Sequence, residues 1–137
     1  DQTDLELALH RAVSEGVSGI LIFGALGGRL DQTIANLLLL TLPELSDVDV
    51  RVVDGRQEAF VVRDDVLIEG QPGDTVSLIP LGGDAGGITS SGLEWALDDD
   101  RLHFGSTRGV SNVLTAEEAS VSVRQGLLLC VVAHASR

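Results

Sequence analysis

The hydrophobic period of this chain changes once, near Asp54-Gly55, and that change constrains the fold more than any single motif. Before it, apolar residues recur at helical spacing or in short solid runs. Leu5, Ala8, Leu9, Ala12 and Val13 fall three and four residues apart. That spacing predicts a helix over 3–15, capped by Thr3 or Asp4 and ended by Gly16. GILIF at 19–23 is wholly apolar, the pattern of a strand buried on both faces in a parallel sheet. A glycine-rich turn follows at 24–29. The next stretch, 31–42, reads as a helix with Asp31 as N-cap and a broad apolar face from Leu37 to Leu40. Pro43 ends it, and 48–53 reads as a second strand.

After the change, β-rich runs follow one another at 58–62, 66–69, 75–79, 88–90, 102–104, 120–123 and 127–133. Turn signals stand between them at 63–65, 72–74 and 82–84. Short strands at this spacing predict an antiparallel sandwich or barrel. The fold class expected is therefore an α/β segment over 1–55, running helix, strand, helix, strand, followed by an all-β sandwich or barrel domain over 56–137. Two strands do not make a stable doubly wound sheet. The expectation is that the chain is a piece of a longer protein, or that a partner subunit lends strands.

Charge narrows the partners. The 137 residues carry a formal net charge of −12, and all nine basic residues are arginine. Such a chain repels nucleic-acid phosphates and anionic membrane surfaces unless its few cations cluster. With no lysine, neither a Schiff-base nor a P-loop lysine exists. No apolar run approaches the roughly 20 residues of a membrane helix, and the expected location is cytoplasmic. Aromatics are limited to Phe23, Phe60, Trp95 and Phe104, too few for a base-stacking platform. Cys130 is single and has no disulfide partner within the chain; it reads as a small buried apolar residue.

Few residues stand out for chemistry. GALGGRLD at 24–31 leaves a buried run and opens a helix. Its glycines permit positive φ and close backbone approach to a ligand. The helix N-terminus offers N–H groups to an anion, and Arg29 offers a bidentate fork. The same residues suit an ordinary strand-to-helix turn, and spacing leaves both readings open. Asp1 and Asp4 lie three apart on one side of a helical turn. They suit Mg²⁺ bound together with substrate phosphates, and equally suit helix capping. Trp95 reads as core, although its neighbours Glu94 and Asp98 to Asp100 are polar; the Asp run reads as a solvated turn. His10, His103 and His134 have no metal-ligand spacing.

Taken together, these segments resemble the thiamine pyrophosphokinase (thiamine diphosphokinase) family. The matching pieces are TDLELAL at 3–9, GALGGRLDQTIANL at 24–37, GDTVSLIPL at 73–81, GLEW at 92–95, FGSTRGVSN at 104–112 and GLLL at 126–129. They occur in order over essentially the whole chain and correspond to the C-terminal two-thirds of a family chain. Gln32 stands where many bacterial members have His.

The resemblance implies transfer of diphosphate from ATP to thiamine, giving thiamine diphosphate and AMP. It also implies an α/β kinase domain followed by a β-sandwich that helps bind thiamine, in a homodimer whose site is shared between subunits. Carried over by position, Asp4, Arg29 and Asp31 are the expected catalytic residues. Gly27, Gly28 and Arg29 would bind the ATP phosphates, and Asp1 and Asp4 would hold Mg²⁺. Trp95 would stack on thiamine, with Arg108, Ser111 and Asn112 beside its ring. The cationic thiazolium suits an acidic protein with an aromatic face. The family's upstream half carries a further acidic Gly-Asp-x-Asp-Ser motif for Mg²⁺. Its absence from the sequence in hand leads to the expectation that this chain alone is inactive. Two other readings remain: a non-catalytic β-rich binding module with a remnant α/β segment, and another nucleotide-dependent transferase.

Overall fold

Thr3 starts the first helix: its hydroxyl accepts the Glu6 N–H at 3.2 Å, so Thr3 rather than Asp4 is the cap. The computed structural model describes residues 2–135 and divides into two compact units, residues 1–55 and 56–137.

In the first unit, α1 (Asp4–Ser14) leads through Gly16, at φ 77°, to β1 (Gly19–Phe23). Helix α2 (Leu30–Leu39), a 3-10 turn at Pro43–Leu45 and β2 (Asp49–Asp54) follow. β1 and β2 pair in parallel, Gly19 opposite Asp49 through Phe23 opposite Val53.

Two local expectations are corrected. Asp31 is not the N-cap of α2. Arg29 occupies that position with extended backbone, and Asp31 lies in the first turn, its carboxylate held by the Arg29 guanidinium. A carboxylate there still complements the helix dipole. Nor is β1 buried on both faces. Ile22 is buried, but Leu21 and Phe23 are 61% and 70% exposed, because within this unit the strand is packed from one side only. Helix α2 ends three residues early, as Thr41 and Leu42 donate to carbonyls three residues back and tighten the turn ahead of Pro43.

The second unit is a curled antiparallel sheet, a half-barrel around one core. Its strands are β3 (Gln57–Val62), β4 (Asp65–Glu69), β5 (Thr75–Ser91), β6 (Asp100–Leu102), β7 (Asn112–Val113), β8 (Glu118–Ser122) and β9 (Gln125–Ala133). The path runs β3-β9-β5-β8-β4, with β6 and β7 also on β5. Alternate inward residues Phe60, Val62, Ile68, Val76, Leu78, Leu128, Cys130 and Val132 fill the core with Leu93, Leu102 and Leu114. Cys130 is fully buried.

The turn expected at 82–84 is a bend within one strand. Strand β5 pairs with β9 from Thr75 to Leu81, shifts register, then pairs with β8 from Thr89 to Ser91. Gly82, Gly83 and Gly87 take φ of 75°, 156° and 63° across the bend. Glycine runs mark such bulges as readily as turns, because both need backbone that other residues resist. Asp84 pins the bend: Oδ1 accepts the Phe104 N–H at 2.8 Å and Oδ2 lies 3.1 Å from His103 Nδ1. These bonds hold the Asp84 carboxyl below its ordinary range, the Phe104 N–H contributing most.

Buried Asp74 fastens the start of β5. Its carboxylate accepts the Gln71 N–H at 3.0 Å and the Ala135 N–H at 2.8 Å, and meets His134 Nδ1 at 2.8 Å. No described helix is long and apolar enough to cross a membrane.

Candidate functional site

In the first unit, residues 24–29 form the loop from β1 to α2. Gly24, Gly27 and Gly28 have φ of 75°, 87° and 68°, so the loop depends on positive φ at three positions. It is tied to α2 by side chains. Asn36 Nδ2 donates to the Ala25 carbonyl at 3.0 Å, and the Thr33 hydroxyl reaches the Gly27 and Arg29 carbonyls at 3.2 Å. Arg29 Nη2 and Nε meet the two oxygens of Asp31 at 2.6 and 3.2 Å. That fork is 72% exposed. Two of its five donors are used, and the others remain for an anion.

Asp4 is exposed in the first turn of α1. Asp1 lies outside the described residues. Among the described residues no three His, Cys, Asp or Glu side chains gather as a metal would require. The donor set therefore gives Mg²⁺ no protein cage; Asp4 offers a single carboxylate.

In the second unit, Trp95, Arg108, Ser111 and Asn112 line one cleft of about 790 Å³, together with Leu78, Glu94 and the 109–110 turn. The residues singled out on this unit thus come together. Gly92, at φ 78°, lies hard against the Glu118 carbonyl and turns the chain out of β5. The following segment zips antiparallel onto 112–115. Thr115 N–H donates to Gly92 O and Glu94 N–H to Val113 O, both at 2.9 Å, and Leu93 bridges Leu114. The next rung is a side chain. Asn112 Oδ1 accepts the Trp95 N–H at 3.0 Å, and Asn112 Nδ2 donates to the Trp95 carbonyl at 2.8 Å. With its backbone held, the Trp95 ring stands 59% exposed at the cleft instead of entering the core.

The opposite wall is the 103–111 loop. The Gly109 carbonyl accepts the Leu78 N–H at 2.9 Å, and the Ser111 N–H donates to the Ser77 hydroxyl at 3.0 Å. A Cβ at Gly109 would strike the Leu78 carbonyl and Leu102, so that position needs glycine for its close approach. Ser111 takes φ 65°, uncommon for a residue with a side chain. Arg108 forks onto Asp100, Nη2 to Oδ2 at 2.7 Å and Nη1 to Oδ1 at 3.2 Å, and also donates to the Arg101 carbonyl. The pairing lowers the Asp100 pKa and raises that of Arg108.

Asp100 is thus an ion-pair partner rather than part of a purely solvated turn. No local signal marks it, since its partner lies eight residues away across β6. Thr33 and Asn36 fall within the quoted 24–37 motif, and their i, i+3 spacing on one helix face was a usable hint that both turn toward the loop.

Known proteins resemble this chain in sequence and in fold. Residues 1–52 match the sequence model of the thiamin pyrophosphokinase catalytic domain, and 65–128 that of the thiamin pyrophosphokinase vitamin B1 binding domain. The thiamine pyrophosphokinase of Bacillus subtilis is 29% identical over 133 residues, covering 96% of this chain and 62% of that protein. Thiamine pyrophosphokinase 2 of Oryza sativa is 32% identical over 123 residues, covering 80% of this chain and 42% of that protein. The crystal structure of the Bacillus subtilis protein superposes with a TM-score of 0.91 at 29% identity, over 99% of this chain and 65% of that one. That of thiamin pyrophosphokinase from Geobacillus thermodenitrificans gives 0.86 at 28%, over 99% and 63%. The chain therefore spans less than two-thirds of the length of these relatives. With both domains of one family matched in chain order, and the fold matched along nearly every residue, the chain belongs to the thiamine pyrophosphokinase family.

Proposed function

We propose that this chain carries the thiamine-binding cleft and the glycine-arginine loop of a thiamine diphosphokinase, which transfers diphosphate from ATP to thiamine and releases AMP. The observation that carries the reading is the Trp95 cleft: an exposed aromatic face on a hydrogen-bonded backbone, beside Arg108, Ser111 and Asn112. An aromatic face attracts a thiazolium cation by cation–π contact. Ser111 supplies an exposed hydroxyl to the ring substituents. Asn112 acts mainly by holding Trp95, since its oxygen is spent on the Trp95 and Val113 N–H groups.

In the first unit, the reading makes 1–55 part of a Rossmann-like kinase domain. Its β1-turn-α2 order is supporting, because such turns bring N–H groups to a phosphate. Gly27 and Gly28 keep the loop free of side chains, and Arg29 binds the transferred diphosphate. Phosphoryl-type transfer needs positioning and charge neutralisation more than covalent work by the protein. Asp31 orients the Arg29 fork through its ion pair. Mg²⁺ bound to ATP phosphates supplies further neutralisation, and Asp4 is the carboxylate on hand toward it. The same reading takes the working protein as a cytoplasmic homodimer.

The test is a thiamine titration read by the fluorescence of Trp95, the sole tryptophan. Saturable quenching places thiamine at the cleft. No response from the folded chain in its dimeric state, checked by sedimentation at the same protein concentration, removes Trp95 as the binding face.

A further inference from the structure

We propose that Glu94 makes the Trp95 cleft selective for a cationic ligand, with Asp100 keeping Arg108 from cancelling that selectivity. The inference rests on the reading of the cleft as a ligand site and adds what sets its charge preference.

Three charged groups bear on the cleft. Arg108 and Glu94 line it, and Asp100 holds Arg108. The guanidinium carries the one positive charge among the lining residues. Both its forward nitrogens are committed, to the two oxygens of Asp100 and to the Arg101 carbonyl. A bidentate pair of this kind is close to neutral at a distance, and three of the five Arg108 donors are already used. Glu94 is placed differently. Its N–H is fixed to the Val113 carbonyl, so the residue is held in register beside Trp95. Among the described residues its carboxylate takes no hydrogen bond and no ion pair, and it is exposed. Removing the neutralised pair leaves Glu94 as the one uncompensated charge among the residues that line the cleft. Carboxylate and π face then act on the same cation from neighbouring positions in the chain.

This differs from the general attraction of an acidic protein. The net charge of −12 is spread over the whole surface and is screened within about 8–10 Å at ordinary ionic strength. Glu94, by contrast, lines the cleft itself.

The experiment reads the site with and without thiamine, in the wild-type chain, Glu94→Gln and Glu94→Lys. First, Trp95 is quenched with iodide and with acrylamide at constant ionic strength. The anion-to-neutral ratio of quenching constants reports the local charge at that one ring. The expected ratio rises about 1.5-fold in Glu94→Gln and about two- to threefold in Glu94→Lys, a local charge change felt within a Debye length. Second, thiamine is titrated at low salt. Its Kd is expected to weaken about fivefold in Glu94→Gln and tenfold or more in Glu94→Lys, with the three proteins converging as salt is raised.

Unchanged iodide-to-acrylamide ratios overturn the proposal, whatever thiamine does. Equal thiamine affinities across the three proteins at low salt overturn it as well. A shifted ratio with no thiamine response even in the wild type supports the charge assignment while removing thiamine as the ligand, so the two readings fail separately.

Discussion

The side-chain amide of Asn112 closes the main-chain hydrogen bonds of Trp95, accepting its N–H at 3.0 Å and donating to its carbonyl at 2.8 Å. The amide does here what a peptide group does in a strand ladder. It extends the short pairing of 92–94 with 113–115 by one rung, without the backbone having to continue.

Replacing Asn112 by Ala is therefore expected to cost about 1–2 kcal/mol in urea unfolding, because part-buried N–H and carbonyl groups of Trp95 lose their partners. Asn112→Asp keeps the acceptor but removes the donor to the Trp95 carbonyl, and should be at least as damaging. Both variants should broaden and red-shift Trp95 emission in the folded state. An unfolding midpoint and spectrum identical to wild type would show that the rung carries no load.

Gly109→Ala tests the close approach behind the cleft. The added methyl meets the Leu78 carbonyl, which is backbone and cannot rotate away. The expected loss is about 1–3 kcal/mol, as for overpacking. Gly105→Ala, in the same loop but facing open space, isolates the clash from the φ penalty of its own positive-φ position. Gly109 should be the costlier of the two.

Asp100 and Arg108 predict a pH effect of defined sign. The Asp100 pKa is lowered in the folded chain, by the Arg108 fork first and the Arg101 N–H second. A carboxyl lowered on folding adds stability at pH above its ordinary range, and that stability is lost as acid drives the pH down through the folded value. Wild type should thus lose more stability than Asp100→Asn on going from neutral pH to below the ordinary carboxylate range. Thermal melts across that range check it, and parallel curves would refute it. Both groups are solvent-facing, so the difference should be small and should shrink with salt.

Arg29→Ala addresses the proposed transfer step. Under that reaction, thiamine-dependent AMP release should fall by about 10²–10³-fold, the usual cost of removing a charge-stabilising donor. The melting temperature should hardly move, because the guanidinium is largely exposed and its pair with Asp31 lies on the surface. Unchanged turnover in an active preparation would take Arg29 out of the site.

Much of this was legible in the residues. Helical spacing from Leu5 to Val13 and the glycine after it placed α1 to within a residue, because helix ends carry local chemistry in Thr3 and Gly16. Most of the β-rich runs after residue 57 were legible from their apolar residues and the turn signals between them, but the run read at 102–104 is a strand at Asp100–Leu102, because 103–104 turn onto Asp84, and Asn112–Val113 was not read as a strand. The Gly82-Gly83-Asp84 cluster misled, since a bulge and a turn ask for the same residues and differ only in where the following strand pairs. The solid apolar run at 19–23 signalled a strand but not which face stays open, which depends on what packs there. Trp95, Arg108, Ser111 and Asn112 became one cleft only through the pairing of 92–95 with 112–115. Neither Asp100 nor Glu94 announced its place, because an ion pair eight residues apart and a cleft assembled from two separate segments leave no periodic trace.

The long bent strand has a consequence for how the second unit comes apart. Strand β5 is bonded to β9 and β7 along its first half and to β8 and β6 along its second. No neighbour can peel away to global extent without exposing one flank of the same seventeen residues. Opening should therefore be shared rather than piecemeal: amides of β5 and β9 belong to a single exchange unit, governed by the full unfolding free energy. A chain cut inside the 82–87 bend would leave neither piece with a complete sheet to refold.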